Sequence, residues 1–172
     1  VDRELVTDRM GAIPFAEELR RVLAQHYPGW KVAANTGDPA GNQGQAGDKD
    51  ARTIFEILRA NGVSADPAYT NDFTPRREAV ARLLSTLVDG DPALLVHPRC
   101  TKLRKALAGK YQFHRVQVSG DERFHDKPYK NEYSHVAEAL QYMLLGQGEG
   151  RDIVEGKREA LKPLTYDLRG IV

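Results

Sequence analysis

A chain of 172 residues, 41% hydrophobic and 28% charged, has the size and composition of one globular domain with its own core, and a second full domain would be cramped. No stretch approaches the roughly 18 apolar residues of a membrane span, no apolar leader follows the first residues, and the single Cys100 excludes an intramolecular disulfide and leaves no partner for a thiolate zinc site. The economical reading is an intracellular protein. The net charge of +1 is unevenly spread: residues 97–135 hold nine Lys or Arg against four Asp or Glu, a local excess that suits a passing polyanion and equally a solvated face.

Residues 3–10 read as a short strand centred on Leu5 and Val6, with Gly11 at the turn beyond. Pro14 opens a helix whose Phe15, Leu19, Val22 and Leu23 fall on one face, and Tyr27-Pro28-Gly29 ends it. Residues 30–34 are a second strand candidate that runs into a Gly/Pro/Asn-rich loop holding Asp38. Ligands gather beyond the carboxyl ends of strands in open α/β sheets, which makes Asp38 a candidate ligand or base; Asp-Pro is also an ordinary turn starter. The phosphate-loop pattern, with Lys-Ser/Thr after its glycines, is absent from the chain.

Asp50 is placed to cap a helix with Ile54, Ile57 and Leu58 inward and Asn61-Gly62 at its end. Residues 63–69 read as extended. Thr74-Pro75 signals the start of another helix, buried through Val80, Leu83, Leu84 and Leu87. The apolar run 93–96 reads as a buried strand. Residues 101–108 make a short basic helix with Leu103 and Leu107 inward and Lys102, Arg104 and Lys105 outward. Residues 111–118 suit a strand or hairpin arm, and 119–127 are polar.

The stretch from Pro128 to Gly146 organises the rest. Tyr133, Val136, Leu140, Met143 and Leu144 recur at helical spacing and predict one apolar stripe. His135, Glu138 and Tyr142 lie within a narrow arc on another face, where imidazole, carboxylate and phenol can converge. Asn131 or Ser134 can cap the first turn. Residues 151–172 are polar, with one short helical segment.

Strands alternating with helices predict an α/β domain with a largely parallel central sheet. Convergent carboxylates in such a fold bind Mg²⁺ or Mn²⁺, hard ions that prefer oxygen, and a pair of such ions can cut a phosphodiester.

Gly37-Asp-Pro-Ala-Gly41, Ala93-Leu-Leu-Val-His-Pro-Arg-Cys100, Gly109-Lys-Tyr111 and, above all, Pro128-Tyr-Lys-Asn-Glu-Tyr-Ser-His-Val-Ala-Glu-Ala-Leu-Gln-Tyr142 together resemble the nuclease domain of tailed-phage large terminase subunits. The resemblance runs in order from about Arg3 to about Gly146. It implies a ribonuclease H-like, three-layer α/β domain over 1–146, with a central mixed sheet flanked by helices, and a polar C-terminal tail over 147–172. It implies two-metal hydrolysis of double-stranded viral DNA, with Asp38 and Glu138 as metal ligands for Mg²⁺ or Mn²⁺ and His135 beside them as a catalytic group. Lys102, Arg104, Lys105 and Lys130 become DNA contacts. Other terminase and portal components are the implied partners, with no membrane, in the host cytoplasm.

Two departures from the pattern stand out. Glu138 replaces the usual Asp, and the family's first-strand Asp has no counterpart, since Asp2, Glu4 and Asp8 do not replace it. The domain reads as lacking its first strands. A noncatalytic DNA- or partner-binding module of the packaging machine, or another ribonuclease H-like nuclease such as a resolvase, remain the alternatives.

Overall fold

The computed structural model describes residues 1–43, 52–116 and 123–156. Helix α1 (Ala12–His26) starts before Pro14, whose missing N–H falls in the first turn, where no intrahelical acceptor exists. Strand β1 (Thr36–Gly37) leads into a 3-10 turn at Pro39–Asn42. Helix α2 (Ile54–Ala60) is capped by Thr53, whose hydroxyl accepts from the Glu56 N–H while the Glu56 carboxylate accepts from the Thr53 N–H, a reciprocal capping box. Strand β2 (Asp66–Pro67) lies parallel to β1, with Asp66 N–H donating to Asn35 O and Ala68 N–H to Gly37 O, both at 3.0 Å.

Helix α3 (Phe73–Ser85) is followed by the β3 (Leu87–Val88) and β4 (Asp91–Pro92) hairpin. Helix α4 (Thr101–Lys105) continues through a wide turn at Ala106–Lys110. Strands β5 (Arg115–Val116) and β6 (Arg123–Phe124) pair antiparallel; α5 (Ser134–Gly146) and α6 (Arg151–Val154) follow. The protein is therefore mixed α/β. Its ladders are three separate two-stranded pairs, and no continuous central sheet joins them among the described residues. No helix among those residues is long and apolar enough to cross a membrane.

Two apolar clusters hold the elements. Ala16 of α1 packs with Phe55 and Leu58 of α2 and with Val63 and Ala65. The larger cluster joins α3 through Ala79 and Val80 to α5 through Leu140, Tyr142, Leu144 and Leu145, with Leu94, Cys100 and Leu103 beside them. Residues 147–156 pack back on α3 and the segment before it: Tyr69 donates its phenolic hydrogen to Glu149 O at 2.9 Å, and Arg82 of α3 reaches Asp152 Oδ2 at 3.2 Å.

Several expectations are corrected. Residues 3–10 form no strand, because the Glu4 carboxylate instead accepts from the N–H groups of Lys102 (2.9 Å) and Leu103 (2.8 Å), satisfying free donors at the start of α4. Residues 30–34 form no strand either: Trp30 is 79% exposed, Val32 is 52% exposed, and the ladder begins two residues later at Thr36. The run 93–96 buries only Leu94 deeply and is joined to Val1, whose carbonyl accepts from His97 N–H and whose backbone nitrogen donates to Leu95 O. Helix α3 begins before Thr74-Pro75, at Phe73. The Asp50 cap, and residues 117–122 of the predicted hairpin and polar segment, lie outside the described residues.

The buried face of α5 is also rotated from the expected stripe. Ser134, Ala137, Glu138, Gln141 and Tyr142 are buried with Leu140, Leu144 and Leu145, whereas Met143 is exposed. The polar residues on this face are answered by the buried Arg76 of α3, whose Nη1 donates to the Tyr142 hydroxyl and lies 4.0 Å from Glu138 Oε1. Asn131 caps the start of α5, its Oδ1 accepting from the N–H groups of Tyr133 (2.8 Å) and Ser134 (3.1 Å).

Candidate functional site

Asp38 follows β1 directly and caps the 3-10 turn, its Oδ1 accepting from Ala40 N–H at 2.9 Å. The Phe55 ring packs under this turn, and a Cβ on Gly37 would stand 3.1 Å from its edge, so the Gly-Asp-Pro-Ala-Gly spacing fits the turn to the α2 cluster. Asp38 thereby faces a cavity of about 210 Å³ whose wall also includes Asn71, Arg76, Tyr111, Lys127, Lys130, Glu138 and Tyr142. Asp38 and Glu138, a hundred positions apart in the chain, line one cavity.

Glu138 is 7% exposed, and a carboxylate so buried needs partners. It has three. Lys130 Nζ donates to both its oxygens, the Tyr111 hydroxyl donates to Oε1 at 3.3 Å, and Arg76 Nη1 lies 4.0 Å from Oε1. Arg76 is itself buried, with its guanidinium carbon 4.9 Å from the Tyr142 ring centroid and 5.9 Å from that of Phe73. Its Nη1 donates to the Tyr142 hydroxyl at 2.9 Å, and that hydroxyl donates to Asn71 Oδ1 at 2.6 Å. Arg76 Nε, also buried, has no hydrogen-bond partner.

The phenols take the character of this enclosure. Burial, reinforced by the neighbouring Glu138 carboxylate, pushes Tyr111 up to about 12. Burial pushes Tyr142 higher still, with Asp38 and Glu138 adding to the shift and Arg76 opposing it. Both remain protonated hydrogen-bond donors at neutral pH.

The donor chemistry can be set against a divalent ion. Asp38 and Glu138 are hard oxygen ligands facing one space, and Mg²⁺ is commonly held by one or two carboxylates with water and phosphate oxygens completing its shell. The donor type is that of a hydrated Mg²⁺ or Mn²⁺, and both Glu138 oxygens here accept from Lys130. Among the described residues no group of three or more His, Cys, Asp or Glu side chains is gathered to hold a metal, so the two carboxylates do not by themselves make a paired-ion site.

His135 does not join this cavity. It is exposed and borders a different space, of about 430 Å³, with Glu4, Phe15, Ala139 and Met143. The narrow arc on the helical wheel is real, but His135 stands roughly 10 Å along the axis from Tyr142 at about 1.5 Å rise per residue. It also sits at the boundary between two faces, and side chains lean toward the helix N-terminus, here toward the 1–7 segment.

The expected DNA contacts are divided. Lys130 points into the cavity against Glu138. Lys102 pairs with Glu132 at 3.4 Å, Arg104 Nη1 donates to Pro98 O at 3.4 Å, and Lys105 is exposed on the same short helix. Arg76, Asn71 and Tyr111 are site residues that the sequence reading did not single out. A signal for Arg76 existed: it stands in phase with Ala79, Val80 and Leu83, at i, i+3, i+4 and i+7, so a charge lies in the apolar stripe of α3.

No family model, curated protein or solved structure matches the chain.

Proposed function

We propose that this chain is a metal-dependent DNA endonuclease domain of the phage terminase type, hydrolysing phosphodiesters of double-stranded DNA during packaging with terminase and portal partners in the host cell. The observation that carries the reading is the meeting of Asp38 and Glu138 in one cavity walled by Arg76, Lys127 and Lys130. Carboxylates there would hold Mg²⁺ or Mn²⁺, and the surrounding cations suit a phosphate backbone. A bound ion would supply an activated water and stabilise the leaving oxygen. Arg76, fixed by Tyr142, and Lys127 would orient the phosphate. The ribonuclease H-like three-layer arrangement and the 1–146 domain limit belong to the same proposal.

A second reading, a noncatalytic DNA-binding module, draws on the pairing of Glu138 with Lys130 and on the two-carboxylate donor set. Plasmid cleavage with Mg²⁺, with Mn²⁺ and with chelator separates the two. The nuclease reading expects nicking in the metal lanes, stronger in Mn²⁺, and its loss in Asp38→Asn and in Glu138→Gln with the fold intact by circular dichroism. Retained DNA binding with no cleavage under any metal would establish the module instead.

A further inference from the structure

We propose that Lys130 is a partner-switching cation that couples metal binding to phosphodiester binding, its ammonium passing from the Glu138 carboxylate to a DNA phosphate when a divalent ion takes its place. The inference rests on the nuclease reading and adds to it a role for one residue. The Lys130 ammonium contacts both oxygens of Glu138, so it occupies the side of the carboxylate through which a metal would be ligated. Ion and lysine therefore compete for one group.

The unequal anchoring of the pair decides which partner yields. The Glu138 side chain is 9% exposed and is held from a helix by Tyr111 and Arg76, whereas the Lys130 side chain is 67% exposed and stands on the loop leading into α5. A flexible four-carbon stem lets a lysine swing where a buried carboxylate cannot. The released ammonium also has somewhere to go. Lys130 lies on the border between the carboxylate cavity and a neighbouring groove of about 540 Å³, which it shares with Lys127, His114 and Tyr129.

Charge then sets the order of events. The cavity wall carries two carboxylates, Asp38 and Glu138, against three cations, Arg76, Lys127 and Lys130. A divalent ion entering alone adds to a positive excess, and an accompanying phosphodiester offsets it. Metal and DNA should thus each tighten the binding of the other by the same factor, as linkage requires. Lys130 is the element through which they communicate, so removing its charge should free Glu138 for the metal and weaken the coupling.

The test is Mn²⁺ binding followed by electron paramagnetic resonance of the free ion, with and without a phosphorothioate DNA duplex that keeps its charge and resists hydrolysis. Without DNA, Lys130→Met should bind Mn²⁺ on the order of tenfold more tightly than the wild type, the scale of ordinary site-to-site coupling, and Lys130→Arg should bind as weakly as the wild type. The duplex should tighten Mn²⁺ binding in the wild type and do so much less in Lys130→Met. Lys130→Gln replaces the Met variant if thermal melting shows that variant to be unfolded. Unchanged or weaker Mn²⁺ binding in a folded charge-neutral variant overturns the switch. If Asp38→Asn and Glu138→Gln lower Mn²⁺ affinity while neutralising Lys130 does nothing, only the switch fails; if neither carboxylate variant affects it, the metal reading fails and takes the switch with it.

Discussion

Gly146, the last residue of α5, lies against Thr36 of β1 so closely that a Cβ at position 146 would stand 2.0 Å from the Thr36 hydroxyl and 2.7 Å from its Cβ. This approach joins the two elements that carry the acidic residues. Asp38 comes two residues after Thr36, and Glu138 sits about two helical turns before Gly146, so the seam helps to bring both to one cavity.

The seam makes a prediction with an informative sign. On an unobstructed helix, Gly→Ala gains up to about 1 kcal/mol from backbone entropy. Here the added methyl meets the Thr36 backbone-proximal carbon, which cannot rotate away, and overpacking of this kind costs about 1–3 kcal/mol. Gly146→Ala should therefore lower the urea midpoint. A midpoint at or above that of the wild type would show that the two elements separate without cost.

Leu140→Ala probes the other side of the same helix. Leu140 is 5% exposed within the cluster that joins α3 to α5, and truncating such a leucine typically costs about 2–5 kcal/mol. Met143→Ala, on an exposed residue, should cost far less. Equal losses for the two would mean that the buried face of α5 is misassigned.

The contrast between these residues also shows where the sequence was legible. Helices α1, α3 and α5 have apolar residues at helical spacing over several turns, and each was placed to within a few residues. The strands were not: each ladder is two residues long, too short for alternation to register, and what extends the chain at 36–37 is a partner at 66–67 rather than local propensity. Asp38 and Glu138 were legible as candidates, but of the cations that answer them Lys130 reads as a DNA contact and Arg76 is not singled out. Arg76 and Lys130 are drawn inward by carboxylate and phenol groups on other elements, a tertiary cause with no local period.

The alkaline limb of stability should report on Tyr111. In the unfolded chain a tyrosine ionises near 10.0; in the folded protein burial and Glu138 hold Tyr111 up to about 12. Its contribution to stability is present in full below pH 10 and is lost as the pH rises from 10 toward 12, because the unfolded state releases the proton first. Tyr111→Phe has no proton to lose. Its stability should fall less steeply than that of the wild type between pH 9.5 and 11, as read from urea midpoints across roughly that window. Parallel pH profiles would show that Tyr111 is not enclosed.

The basic helix α4 offers the last test. Lys102, Arg104 and Lys105 follow one another on five residues of helix; Lys105 is exposed, while the side chains of Lys102 and Arg104 make long contacts among the described residues, to Glu132 at 3.4 Å and to Pro98 O at 3.4 Å. Exposed pairs of this kind are worth roughly 0–1 kcal/mol, which a DNA phosphate can readily outbid. Each phosphate neutralised releases condensed counterions, so log affinity for duplex DNA should fall linearly with log salt, by about 0.9 per phosphate. Replacing Lys102, Arg104 and Lys105 with Gln should flatten that slope by about 0.9 for each phosphate no longer neutralised, nearly uniformly across duplex sequences, since phosphate contacts carry no base information. Lys130 stands apart: its ammonium is engaged by Glu138, so in chelator Lys130→Gln should change the slope less than Lys105→Gln does. An unchanged slope in the α4 triple variant would remove this helix from the DNA surface, and an equal change from Lys130 and Lys105 in chelator would show that the Glu138 ion pair does not hold the lysine back.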